Sequence, residues 1–309
     1  MDAPLPVDAT PRVVAVVGAT ATGKSDLGIA LAEALGGEIV NADAMQLYRG
    51  MDIGTAKVPP AARRGVAHHE IDVLDVVDEA SVAAYQRGAR SDIAGVVGRG
   101  AVPILVGGSG LYVSAVLDDL DFPGTDAALR AGLLAHARTV GARALHAELA
   151  AEDPDAAAAI DPANTRRVVR ALEVVRLTGR PFRARLPEQP PALAAVRIGL
   201  RMDRTVLDDR IAARTRDMFT AGLVEETREL LAAHGALSRT AARAVGYAQA
   251  LDVLAGRCSP DEAVESTVVA TRRLARRQEK WFRRDTSTVW LDAADLAQAL
   301  TAALRTLAP

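Results

Sequence analysis

The chain has 309 residues, half of them apolar but only 3% aromatic, with 37 Lys and Arg against 39 Asp and Glu for a net charge of −2. These figures describe a globular, enzyme-sized chain and exclude a disordered, collagen-like or disulfide-scaffolded one. The lone Cys258 excludes an internal disulfide and a cysteine metal cage, and no apolar run of about 18 residues marks a membrane span.

Residues 12–17 (RVVAVV) form a β-branched apolar run, the mark of a buried parallel strand, and lead through a glycine-rich turn into a helical pattern over 24–35. Gly36-Gly37 ends that helix. Residues 38–41 read as a second strand, 70–73 as a third, and 101–106 (AVPILV) as a further buried strand running into Gly107-Gly108-Ser109-Gly110. Strands alternating with helices predict an α/β fold with a parallel sheet. From residue 121 the strand signals stop. Alanine-rich helical segments, punctuated by Asp153-Pro154, Asp161-Pro162 and Arg180-Pro181, continue to 191. The expected organisation is a core of residues 1–120 and 192–309 with a helical insertion over 121–191. Residues 196–202 return to strand character, and 205–234 predict a helix pair broken near Gly222. Ser259-Pro260-Asp261-Glu262 is a capping box opening a last strong helix, and 289–291 read as a closing strand.

The turn after the first strand, Gly18-Ala19-Thr20-Ala21-Thr22-Gly23-Lys24-Ser25, matches G-x-x-x-x-G-K-[ST] in the strand–helix context that gives the match its meaning. Its glycines let backbone N–H groups curl around an anion, the helix N-terminus adds partial positive charge, Lys24 adds a point charge, and Ser25 suits Mg²⁺. The core is therefore expected to be P-loop NTPase-like and to bind a di- or triphosphate. A kinase would use such a loop for phosphoryl transfer; an enzyme that expels diphosphate would use it to stabilise the departing charge.

Asp43 follows the second predicted strand, on the rim where open α/β sheets place ligand-binding groups. Its carboxylate suits two roles: accepting a proton from a nucleophile or holding Mg²⁺, and capping a helix N-terminus. His68 and His69, adjacent on a strand, point to opposite faces and read as structural rather than metal-binding.

Several segments together resemble one family. The phosphate loop, NADAMQLYRGMDIGTAK (41–57), the His68-His69 pair followed by Asp72, and LVGGSGLY (105–112) are similar to the bacterial tRNA dimethylallyltransferases, also called tRNA isopentenyltransferases. RALEV (170–174), AVGY (244–247) and RRQEKWF (276–282) continue the resemblance across nearly the whole chain in order. The resemblance implies transfer of a dimethylallyl group from its diphosphate to N6 of the adenosine beside the tRNA anticodon, with Mg²⁺ and release of diphosphate; the single cysteine fits a reducing cytoplasm, and a monomer binding one tRNA is the simplest expectation. By the same resemblance Asp43 is the base, residues 18–25 hold the diphosphate, Ser25 helps hold the metal, and Arg243 adds charge near the reaction centre. Asp43, Ala44, Met45, Gln46 and Ser109 would meet the target nucleotide, with Ser109 standing where the family usually has Thr. Ala44 and Ala248 replace a common Ser and Arg, and Arg166 stands where some members have Gln.

The charge distribution agrees with an RNA partner. Residues 163–185 carry seven Arg and one Glu, and 270–284 carry six Arg, Lys280 and one Glu; the two windows net +12, leaving −14 elsewhere. On the terminal helix Val264, Thr267 with Val268, Thr271, Leu274 with Ala275, Gln278 and Trp281 recur as an inward stripe. Arg272, Arg276, Lys280 and Arg283 line another face, where like charges repel unless a polyanion binds. Asn164 reads as an N-cap, placing Arg166, Arg167 and Arg170 in first turns where cations oppose the helix dipole. By resemblance this insertion and the Arg130 region grip the anticodon stem, while the target base is extruded toward the diphosphate. Rival functions are prenylation of free adenine nucleotides, a small-molecule kinase and a non-catalytic RNA-binding ATPase. The first two have no evident use for the arginine windows, and the third has none for Asp43.

Overall fold

The structure, a computed structural model, describes residues 13–120, 122–182 and 191–308; Arg12, Arg183 and Arg185 of the predicted strand and basic window, and the boundary residue Asp121, lie outside the described residues. The chain divides into two compact units, one taking the chain up to Asp118 and from Pro191 onward, the other Asp119–Pro190.

In the first unit the order is β1 (Val13–Gly18), α1 (Lys24–Leu35), β2 (Gly37–Asn41), β3 (His68–His69), α2 (Val82–Gly98), β4 (Val102–Gly107) and α3 (Gly110–Leu117). The second unit contributes α4 (Ala127–Val140), α5 (Ala142–Glu152), α6 (Pro154–Ala159) and α7 (Thr165–Thr178). The first unit resumes with β5 (Ala195–Arg201), α8 (Arg204–Thr220), α9 (Leu223–His234), α10 (Tyr247–Leu254), α11 (Pro260–Phe282), β6 (Val289–Asp292) and α12 (Leu296–Leu307). Six strands pair in the order β3-β2-β4-β1-β5-β6, and every pairing is parallel. Among the described residues no helix is long and apolar enough to cross a membrane.

Both faces of the sheet are covered, which is why β1 reads as an unbroken apolar run. Val13, Ala15 and Val17 face α2, α3 and Phe282 with Val40 and Leu105, whereas Val14 and Val16 face α1 and α12 with Ile39, Ile104 and Ile198. The carboxyl ends of β1, β2 and β4 come level, since Val17 pairs with Gly107 and Asn41 with Val106. That register puts the loops after these strands on one rim.

One predicted strand is corrected. Residues 70–73 do not pair; β3 is the two preceding histidines, and Glu70 (φ 55°) and Asp72 (φ 58°) are left-handed, which no strand accommodates. The inward stripe of α11 holds the predicted Thr267, Thr271, Ala275 and Gln278, but at its ends Ala263 and Phe282 are buried in place of Val264 and Trp281. Trp281 is half-buried against the core beside it.

The second unit has its own core of Leu133, Leu145, Leu149, Val168, Val169 and Leu172. Glu173 is completely buried within this unit. It accepts hydrogen bonds from Arg130 Nη2 (2.7 Å), Arg170 Nη1 (2.9 Å) and the Asp126 backbone N–H (3.0 Å). Burial pushes its carboxyl up, but the bonds from Arg130 and Arg170 outweigh burial and hold it below the usual range.

Candidate active site

The phosphate loop is shaped by one close approach and by left-handed backbone at Ala21 and Gly23. A Cβ on Gly18 would lie 2.6 Å from the Leu200 carbonyl oxygen, so only glycine lets β5 run this close to the loop. Gly23 caps α1 in the left-handed region (φ 88°), and Ala21 (φ 66°) shares that region. Thr22 Oγ1 donates to Ala19 O (2.9 Å), and Lys24 Nζ folds back to the same oxygen (2.6 Å). From the far side, Gln278 of α11 accepts the Thr20 N–H through Oε1 (2.8 Å).

Beyond β2, the Asp43 carboxylate Oδ1 accepts the Met45 N–H (2.9 Å), a local turn close to the predicted capping role. Its carboxylate nevertheless lines a cleft of about 660 Å³ together with Lys24, Ser25, Gln46, Arg210 and Arg214. No helix starts at Asp43, so the helix-capping reading gives way to a turn-closing bond, and Asp43 keeps its place in the cleft. Ser109 Oγ accepts the Ala44 N–H (3.1 Å), and the glycine-rich loop after β4 is pinned to the same segment because a Cβ on Gly107 would lie 2.2 Å from Ala42 O.

Arg214 was not singled out from the sequence. It projects from α8 and donates from Nη2 to Thr20 Oγ1 (2.5 Å), on the loop's tip. The available signal was Arg210 and Arg214 one turn apart on a predicted helix. Burial pulls the Lys24 ammonium down to about 8, with Asp43 opposing the shift and Arg214 adding to it. Burial likewise lowers Arg214, Asp43 opposing and Arg210 adding. Lys24 and Arg214 thus both act on Asp43 at the phosphate loop, while Arg210, Asp26 and Asp217 line the same cleft; the two cations beside the loop suit an anion.

Arg243, the cation expected from resemblance, lies in a 3₁₀ turn, is exposed, and is absent from the cleft lining. Four residues on, the buried Tyr247 hydroxyl donates to Glu226 (2.5 Å), and Glu226 also accepts the Ile53 N–H (2.9 Å). Two of the resembling segments, 244–247 and 41–57, are thereby joined through one carboxylate on α9. Lys57 is structural as well: its Nζ, on a side chain only 3% exposed, donates to Tyr48 O (2.9 Å), Asp52 (2.6 Å) and Asp72 (2.5 Å). His68 lines the cleft while His69 Nε2 bonds Glu38 (2.6 Å), as opposite faces require. Among the described residues no cluster of three potential metal-ligating side chains occurs.

The basic windows are less uniform than their sequence. Arg130 and Arg170 are committed to Glu173, and Arg176 to Glu152 (2.6 Å); Arg166 and Arg167 lie on the exposed first turn of α7. On α11, Arg272 reaches back to Asp208 of α8, its Nη2 donating to the Asp208 carbonyl (3.3 Å), and Arg283 pairs with Glu279 (2.6 Å). Arg276, Lys280 and Arg284 remain exposed around a shallow concavity of about 340 Å³ with Glu279 and Arg283. Spacing alone assigned Arg272 to the outer ridge. The i to i+4 step is correct, but packing of α8 against α11 covers that end of it.

Comparison with known proteins places these features in one lineage. The family model "IPP transferase" matches residues 46–285, and "Isopentenyl transferase" matches 11–67. A tRNA dimethylallyltransferase of Streptomyces griseus is 56% identical over 93% of this chain and 92% of its own, and that of Streptomyces coelicolor is 57% identical over 91% and 90%. Among solved structures, a tRNA isopentenylpyrophosphate transferase from Bacillus halodurans superposes with TM-score 0.68 at 38% identity, covering 95% of this chain and 98% of that one. A eukaryotic dimethylallyltransferase captured acting on tRNA superposes with TM-score 0.81 at 26% identity, over 96% and 77%. The chain belongs to the IPP transferase family.

Proposed function

We infer that this chain is a tRNA dimethylallyltransferase, moving a dimethylallyl group from its diphosphate to N6 of the adenosine beside the anticodon. The observation that carries the mechanism is the meeting of Asp43 with Lys24 and Arg214 in one cleft. In the transfer, the bond from the dimethylallyl C1 to the diphosphate oxygen breaks as the bond from N6 to C1 forms. Asp43 accepts the proton that N6 must lose, and the loop with Lys24 and Arg214 receives the diphosphate charge.

Mg²⁺ fits this cleft through Ser25, which lines it beside Lys24. With no cluster of potential metal-ligating side chains among the described residues, the ion would take its remaining oxygens from diphosphate and water, as Mg²⁺ commonly does. When bound it would neutralise part of the leaving charge.

For the RNA, exposed Arg166 and Arg167 on one unit and Arg276, Lys280 and Arg284 on the other are the candidate phosphate contacts. Arg130, Arg170 and Arg272 support them through their carboxylate pairs. The proposal extends to a cytoplasmic monomer engaging one tRNA.

Asp43→Asn should bind tRNA and dimethylallyl diphosphate normally but lose transfer by about 10²–10⁴-fold in single turnover. Near wild-type transfer by that variant rejects Asp43 as the base. Transfer of label to AMP but not to tRNA rejects the tRNA substrate.

A further inference from the structure

The buried polar side chain nearest Asp43 in the chain is Asn41, the last residue of β2, only 4% exposed. Its carboxamide is used on both sides. Oδ1 accepts the Asp43 N–H (3.0 Å), and Nδ2 donates to the Asp43 carbonyl (3.0 Å), so one side chain grips both peptide groups of the proposed base. Nδ2 also donates to the Glu70 carbonyl (2.8 Å). That carbonyl belongs to the stretch where Glu70 and Asp72 are both left-handed, with Ile71 between them lining the cleft. Asparagine's own carbonyl is held in turn by the Tyr85 hydroxyl (2.8 Å) from α2.

Side chains with left-handed backbones persist where their surroundings over-determine them. Here Asn41 fixes one end of that stretch and Lys57 the other, through Asp72. We propose that Asn41 is a positioning residue for transfer: its carboxamide sets where Asp43 stands relative to the phosphate loop. The proposal rests on Asp43 being the base. Neither Asn41 polar atom needs to meet substrate, because each is already engaged with backbone.

The test uses the full chain with tRNA and dimethylallyl diphosphate. It measures single-turnover transfer, both dissociation constants and the thermal midpoint for Asn41→Ala, Asn41→Asp, Asp43→Asn and the Asn41→Ala/Asp43→Asn pair. Misplacing a reacting group by roughly 1 Å costs on the order of 10²-fold, so folded Asn41→Ala should slow transfer by about that factor with both dissociation constants unchanged. Asn41→Asp keeps the acceptor and loses the donor, so it should fall between the two and serves if the alanine variant does not fold. The paired variant should be no slower than Asp43→Asn alone, because a positioning effect has nothing left to position. Transfer near wild type in folded Asn41 variants, a loss confined to binding, or a further multiplicative loss in the pair overturns the proposal. An inactive Asp43→Asn beside an active Asn41→Ala sinks Asn41 alone, whereas an active Asp43→Asn sinks the base assignment itself.

Discussion

Lys57 offers the sharpest stability test, because its ammonium is almost enclosed and all three protons are spoken for. Lys57→Met removes a bond to the Tyr48 carbonyl and two to carboxylates. Tyr48 is fully buried, and although its carbonyl keeps a long bond from the Met51 N–H (3.4 Å), losing a hydrogen bond from a charged donor costs about 1.5–3 kcal/mol. Asp52 and Asp72 have side chains 60% and 40% exposed, so water screens their losses to about 0.2–1 kcal/mol each. Against this, methionine avoids desolvating a charge, which offsets part of the total. The expected net destabilisation is about 2 kcal/mol, or roughly a 30-fold shift in the folding equilibrium. Lys57→Arg should do no better, since a planar fork cannot aim donors at three oxygens around one point. Urea unfolding of the full chain, compared by midpoint and slope, reads the change. A loss under about 0.5 kcal/mol for either variant, the size of an ordinary surface substitution, would refute the argument.

Three further outcomes are expected. Because burial brings Lys24 down to about 8 in the free protein, diphosphate affinity measured by calorimetry should weaken above that pH; constant affinity up to pH 10 would contradict it. Burial, with the nearby Asp92 charge, raises Glu70 to about 7, so the folded state holds a proton that the unfolded state releases near 4.5. Its contribution to stability is therefore present at low pH and lost as pH rises to 7. Glu70→Gln should gain stability over wild type, by about 2 kcal/mol, at pH 8 but not at pH 4. No pH-dependent difference in thermal midpoint would exclude this. Replacing Arg276 and Lys280 with Ala should flatten the salt dependence of tRNA binding by about one unit of slope per lost phosphate contact; an unchanged slope would return α11 to a solvated face.

The phosphate loop, the flanking strand and helix and the capped opening of α11 were all readable locally. Each depends on residues within a turn or two of one another: Gly23 before Lys24, or Ser259 before Glu262. The edge at 70–73 was misread because Glu70 and Asp72 take conformations opposed to their local preference, held by Asn41 and Lys57 from elsewhere in the chain. The arginines were misjudged for a similar reason. Spacing shows which cations share a helix face but not which carboxylate packs against it, as Glu173 does for Arg130 and Asp208 for Arg272.

By itself the sequence determined that this chain is a parallel α/β protein with a diphosphate cradle, a candidate base on the same rim and two basic segments within a neutral whole. Those properties follow from periodicity, turn chemistry and composition. Only the tertiary structure decided which charges remain available. The net charge of −2 resolves into arginines bound to buried carboxylates, cations lining the cleft, and exposed cations on α7 and α11. It also brought Arg214 into the cleft and gave Lys57 a structural role. Availability depends on partners remote in sequence, because the energy of a charge is set by what surrounds it in space.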